Sequence, residues 1–196
     1  MKKIGILGGT FDPPHYGHLL MANEALAAMD LDEVWFMPNQ EPPHKKKPES
    51  VKNEERLKML ELALEDNEQF RAETIEWQRQ GPSFTFDTMK ILTSNFPDHD
   101  FFFIIGADMI EYLPKWYKIE ELIRLVTFIG VNRPNYRHES MYPIEFVEMP
   151  SMDISSSLIR ERLKKGSSVR YLLPDDVIRF IKENHLYGTG SSIELS

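Results

Sequence analysis

Five consecutive apolar residues, Phe101-Phe102-Phe103-Ile104-Ile105, run into Gly106. Side chains alternate between the two faces of a strand, so a run that is apolar at every position has no face to give to water. It belongs in the middle of a parallel sheet covered on both sides. Further β-rich runs at about Lys3–Leu7, Glu33–Met37, Thr127–Val131 and Ile144–Glu148 alternate with helical patterns, at about Gly17–Met29, Asn53–Leu64, up to Ser94, after Ser155 and at Pro174–Asn184. That alternation predicts an α/β fold, Rossmann-like and doubly wound, with a mostly parallel sheet and helices on both faces. In such a sheet, ligands collect beyond the carboxyl ends of the strands, here just past Gly106.

The first strand breaks into Gly8 and Gly9 and is followed by a helix start bearing His15 and His18. Glycines without a Cβ let a phosphate come close to the main chain. The first N–H groups of a helix lack intrahelical partners and sit at its positive end, so an anion is the natural occupant of the space above them. His15 and His18, three residues apart, share one face of the first turn and aim two donors at one point. A plain tight turn is the simpler account of Gly8-Gly9 taken alone. Metal ligation by the two histidines lacks a cysteine or a nearby carboxylate set to complete the shell, so no protein-held metal is expected. Thr10-Phe11-Asp12-Pro13-Pro14 follows Gly9, so the spacing of the dinucleotide fingerprint is not met, which weakens the case for a nicotinamide-dependent oxidoreductase.

The charge balance decides which partners are open to it. With 23 Lys and Arg against 31 Asp and Glu, the formal net charge is -8, which argues against binding along a nucleic-acid backbone. An anionic ligand must then be held by a local basic pocket. No cysteine is present, which removes disulfides, thiolate metal sites and cysteine nucleophiles. The 196 residues suit a single domain, expected over residues 1–187, with residues 188–196 a fraying tail. The N-terminus has no signal-peptide layout and no apolar run spans a bilayer, so a cytoplasmic protein without membrane contact is expected. Oligomeric state is left open, a homo-oligomer included.

Other stretches carry candidate ligand contacts. The proline-rich, lysine-rich segment after Met37 reads as a long loop, in which His44 and Lys45 can bring donors towards a phosphate while Lys46 and Lys47 are solvated. Gly81-Pro82-Ser83 precedes a helix, for which Ser83 is the simple cap and Thr85 the first-turn position that faces a ligand carboxylate. The helix at Asn53–Leu64 reads as ordinary core packing. Asp108, two residues past the strand-ending Gly106, is placed for ribose hydroxyls or for a helix cap. Tyr112 and Trp116, spaced i, i+4, share a face if the segment is α-helical and can stack on a planar ring; core packing is the plainer account. Ser155-Ser156-Ser157 opens a helix with Arg160 one turn beyond Ser156, making a second phosphate site separate from the first.

The segment GGTFDPPHYGH is similar to the G-T-F-D-P-x-H-x-G-H signature of the adenylyl- and cytidylyltransferase superfamily, at every position including Gly17. GPSFTFDT, GADM with Tyr112 and Trp116, PPHK and ISSSLIR together resemble the bacterial nicotinate-nucleotide adenylyltransferase family, from Lys3 to about Tyr187. One departure is visible, Ser157 where many members have threonine. The resemblance implies adenylyl transfer from ATP to nicotinate mononucleotide, giving deamido-NAD and pyrophosphate. It implies Mg²⁺ carried by the substrate phosphates and a catalytic set of His15, His18 and Arg160. On the ATP side it implicates Gly8, Gly9, Thr10, Phe11, His15, His18, Gly106, Asp108, Ile154, Ser155, Ser156 and Arg160. On the mononucleotide side it implicates Gly9, Thr10, His44, Lys45, Ser83, Thr85, Asp108, Tyr112, Trp116 and Arg133. The alternatives are an adenylyltransferase of the same superfamily with another acceptor, such as nicotinamide mononucleotide or phosphopantetheine, a glycerol-phosphate cytidylyltransferase, and a non-catalytic nucleotide-binding module.

Overall fold

Six strands form one all-parallel sheet in the order β3-β2-β1-β4-β5-β6, where β1 is Lys2–Gly9, β2 Glu33–Pro38, β3 Phe70–Ala72, β4 His99–Gly106, β5 Thr127–Asn132 and β6 Ile144–Glu148. The computed structural model describes residues 1–39, 51–78, 84–132 and 140–190, excepting the side chains of Ala107 and Asp108. The helices are α1 Tyr16–Ala28, α2 Asn53–Leu64, α3 Thr85–Asn95, α4 Ile119–Leu122, α5 Ser156–Lys164 and α6 Asp175–Glu183. The doubly wound architecture is the one expected. β3 was not anticipated, because three residues are too few to display a period.

The strand register explains the uniform apolarity of β4. Ile6 pairs with both Trp35 and Phe103, and Leu7 with Phe36 and Ile104. On one face, Ile4, Ile6, Trp35, Met37, Phe101, Phe103, Ile105 and Phe128 meet Phe86, Met89 and Leu92 of α3. On the other, Leu7, Val34, Phe36, Ile104, Ile129 and Val131 meet Ala22 and Ala25 of α1 and Leu60 and Leu64 of α2. A third cluster joins Met59 and Ala63 of α2 to Ile159 and Leu163 of α5, Val177 and Ile181 of α6, and Leu186. This last cluster packs the C-terminal helices against α2.

The chain leaves β1 for β2 on one side and meets β4 on the other. The crevice where strand order reverses therefore opens at Gly9 and Gly106. Residues 107–115 form a 3-10 helix, not the α-helix that an i, i+4 pairing of Tyr112 and Trp116 requires. Trp116 lies just past its end in extended backbone (φ -73°, ψ 139°), so the α-helical spacing that would put the two rings on one face is not met. Thr189, inside the stretch expected to fray, donates its hydroxyl to Ile181 O at 3.2 Å and Leu186 O at 2.9 Å.

Candidate active site

The loop between β1 and α1 lies at the crevice. Gly8 and Gly9 do not form the expected turn, for both stay within β1 and pair with Met37 and Pro38. Gly9 is needed for a different reason: a Cβ there would sit 2.9 Å from Phe11 Cζ. The ring of Phe11 covers Gly9, while its backbone adopts φ 49°, a left-handed conformation uncommon for a bulky residue. That strained residue is held by burial, its ring edge-on to His18 at 5.0 Å and tilted against Phe36 at 5.7 Å.

His15 is the cap residue of α1, and its ring stacks on that of His18 with centroids 3.6 Å apart. The His15 N–H donates to His18 Nδ1 at 3.2 Å. That bond makes Nδ1 an acceptor and leaves the proton of neutral His18 on Nε2, where it is free to be offered to a ligand. Burial lowers the pKa of His15 to about 4. Burial, and then the neighbouring His15, lower that of His18 to about 3. At neutral pH without ligand both rings are uncharged donors, so the neutralisation of phosphate charge must come from elsewhere. Gly17 makes the stack fit: a Cβ there would lie 3.0 Å from His15 Nδ1.

The second expected phosphate site is not separate from the first. Ser156 Oγ donates to Pro13 O at 2.9 Å, and Arg160 donates from one terminal nitrogen to Asp12 O at 2.6 Å and from the other to Ser157 Oγ at 3.2 Å. Helix α5 thus lies directly against the β1–α1 loop, and the two sites form one wall. The three serines divide the work: Ser155 caps the helix by accepting from Leu158 N at 3.2 Å, Ser156 holds the loop and Ser157 receives the guanidinium. Likewise the Tyr16 N–H at the start of α1 is taken by Leu172 O at 3.1 Å. Ile154 lies half-buried in the segment before α5, its carbonyl 3.7 Å from where a Gly17 Cβ would be. Thr10 is exposed at the mouth of the loop.

The remaining candidates flank this wall. Gly106 ends β4 beside Val131. Trp116 is half-buried, edge-on to Phe103 at 5.8 Å and Phe128 at 6.1 Å, so part of its surface serves the core. Phe103 connects the two regions, since its ring tip would also meet a Cβ at Gly8 at 3.5 Å. Tyr112 is 53% exposed with Lys115 Nζ 5.2 Å from its ring. Thr85 opens α3 and is half-buried. His44, Lys45, Ser83 and Arg133, and the side chain of Asp108, lie outside the described residues.

Two residues at this site were not anticipated. Arg56 of α2 is fully buried and donates to Thr10 O at 2.7 Å, Asn39 O at 2.8 Å and Asn53 Oδ1 at 2.7 Å. It shares the i, i+3, i+4, i+7 stripe of Met59, Leu60 and Ala63, and an arginine on an apolar stripe is the signal that points to it. Tyr187 donates its hydroxyl to Asp12 Oδ1 across nearly the whole chain. Burial first, then the Asp12 charge and hydrogen bond, push the tyrosine pKa far up. No spacing in the sequence links Asp12 to Tyr187.

A cytidylyltransferase-like family model matches residues 6–162. The nicotinate-nucleotide adenylyltransferase of Bacillus subtilis (strain 168) is 54% identical over 187 residues, covering 95% of this chain and 99% of its own length. A Bacillus licheniformis protein described as a probable nicotinate-nucleotide adenylyltransferase is 56% identical over 189 residues, 96% of this chain and 100% of that protein. Among solved structures, Plasmodium falciparum nicotinic acid mononucleotide adenylyltransferase complexed with NaAD superposes with a TM-score of 0.77 at 22% identity, over 95% of this chain and 98% of that one. That likeness shows the fold. The end-to-end match to the bacterial relatives goes further, and by it the chain belongs to the nicotinate-nucleotide adenylyltransferase family within the cytidylyltransferase-like group.

Proposed function

We propose that this chain transfers the adenylyl group of ATP to nicotinate mononucleotide, giving deamido-NAD and pyrophosphate, with the cytoplasm as its setting. The observation that carries the chemistry is the single wall made by the β1–α1 loop and α5, with the two stacked histidines at its centre. The acceptor is read from family membership and from the aromatic segment around Trp116 beside β4.

In the reaction, a phosphate oxygen of the mononucleotide forms a bond to the α-phosphorus of ATP as the bond to the β-phosphate oxygen breaks and pyrophosphate leaves. The nucleophile is already deprotonated at neutral pH, so no general base is needed. Positioning and charge stabilisation supply the rate. The Nε2–H of His18 donates to an α-phosphate oxygen, and His15 holds His18 by stacking and through its N–H. Arg160, with its guanidinium at the Asp12 end of the loop, supplies positive charge to the β,γ-phosphates and to the departing pyrophosphate. Among the described residues, no cluster of three or more histidine and carboxylate side chains could hold a metal. Beside the neutral donors of His15 and His18 and the cation of Arg160, a Mg²⁺ ion brought on the triphosphate would neutralise phosphate oxygens.

Pyrophosphate release from ATP, measured with Mg²⁺ and either nicotinate or nicotinamide mononucleotide, tests the proposal. Turnover with the acid form exceeding the amide form is expected, because main-chain N–H groups at the start of α3 complement a carboxylate better than an amide. Equal rates on both would remove that basis for specificity. ATP binding without pyrophosphate release would favour a non-catalytic module.

A further inference from the structure

The phosphate loop needs its N–H groups turned outward, and nothing in the β1–α1 loop alone secures this. Arg56 lies beneath the loop, fully buried, and its two terminal nitrogens reach the first residue past β1 and the first past β2. Asn39 N in turn donates to Gly9 O at 2.8 Å, so the two strand ends and the arginine form one closed set of bonds. Asn53 Oδ1 orients the fork from the first turn of α2, and the guanidinium carbon stands 5.7 Å from the Trp77 ring centre.

A planar trans peptide points its C=O and the following N–H in opposite directions. With Thr10 O drawn inward to Arg56, the N–H of Phe11 faces away from the buried guanidinium, towards the open side on which Thr10 is exposed. Phe11 is also the left-handed residue of the loop, with φ 49°. A left-handed residue beside an ordinary one is the arrangement that turns successive N–H groups into an anion-binding concavity. Without the inward pull, rotation of the Thr10–Phe11 peptide would relieve that backbone and present a carbonyl oxygen to the phosphates. The positive charge below the loop adds attraction for a polyanion.

We infer that Arg56 is a positioning residue for adenylyl transfer: it clamps the Thr10 carbonyl inward, so that the Phe11 N–H is offered to the triphosphate of ATP. This rests on the adenylyl-transfer reading of the loop. Lysine keeps the charge but not the fork that bridges two strand ends, so Arg56→Lys separates geometry from charge, and Arg56→Met removes both.

The test compares the parent, both variants and Asn53→Ala, at a temperature where circular dichroism shows each folded. Expected for Arg56→Lys are a KM for ATP raised at least tenfold and a KM for nicotinate mononucleotide within threefold of the parent. Arg56→Met should lose more on ATP, and Asn53→Ala should raise the ATP KM at least threefold. A merely structural role would weaken both substrates together. Calorimetric titration with Mg-ATP alone gives the same comparison without an acceptor, so a parent that binds ATP but does not turn over would overturn the functional reading and leave this inference decided by the affinities. ATP constants within twofold of the parent in whichever variants fold, Asn53→Ala included, would overturn the inference.

Discussion

Replacing His18 by asparagine should flatten the acid side of the stability curve while abolishing most activity. Asparagine Oδ1 can take the place of Nδ1 as acceptor for the His15 N–H, so the helix start keeps its bond. What disappears is a titrating ring and the Nε2–H. In the unfolded chain each histidine takes up a proton near pH 6.5, whereas in the folded chain the pair stays neutral down to about 4 for His15 and about 3 for His18. The folded values are depressed, so stability is complete above about 6.5 and declines as the pH falls towards them. Between pH 7 and pH 5 linkage gives a loss of about 2 kcal/mol per histidine, and the figure barely changes for any folded value below about 4.5. His18 retains some exposure, which makes its share an upper value. Urea denaturation at the two pH values should therefore show the parent losing about 2 kcal/mol more than His18→Asn, since every other titrating group is common to both. Loss of a donor aimed at the α-phosphate should also lower kcat by roughly a hundredfold or more. Equal acid losses in the two proteins would refute the buried, neutral state of the pair, and turnover within about threefold of the parent would remove His18 from the chemistry.

Three further substitutions separate other parts of the site. Tyr187→Phe removes a buried donor from the Asp12 carboxylate, worth about 2 kcal/mol, and should lower Tm by roughly 4–8 °C. Because the folded tyrosine pKa is raised, its stabilisation is whole below about pH 10 and is lost as the pH climbs above it. The variant should thus show a shallower alkaline decline in urea titrations, and an unchanged slope would contradict the assignment. Gly17→Ala gains helix propensity, up to about 1 kcal/mol, yet its Cβ meets His15 Nδ1 at 3.0 Å. Stability equal to or above the parent with kcat/KM down at least tenfold is expected in paired melting and rate assays. Tyr112→Ala, at an exposed position, should change stability by under about 0.5 kcal/mol; if the ring stacks on the pyridine, KM for nicotinate mononucleotide should rise several-fold with the ATP constant unmoved.

Five of the six strands were legible, the central one most plainly: Phe101–Ile105 has no polar face, whereas the three residues of β3 show no period, and the helical stripes between strands have lengths that span the sheet. The reaction class was legible for a similar reason, since GGTFDPPHYGH packs its histidines, its glycine and its loop into eleven consecutive residues. Local geometry decides what such a stretch can present. Where periodicity was extended without knowing the helix type, at Tyr112 and Trp116, the segment is a 3-10 helix that ends at Lys115, so Trp116 falls in extended backbone and the α-helical alignment does not hold. Only the tertiary structure decided what holds the loop. Arg56, Ser156, Arg160 and Tyr187 reach it over sequence separations of 46 to 175 residues. Each bond joins polar groups of segments that meet only in the fold, so no local pattern announces it, and the full burial of Arg56 becomes tolerable only through such partners.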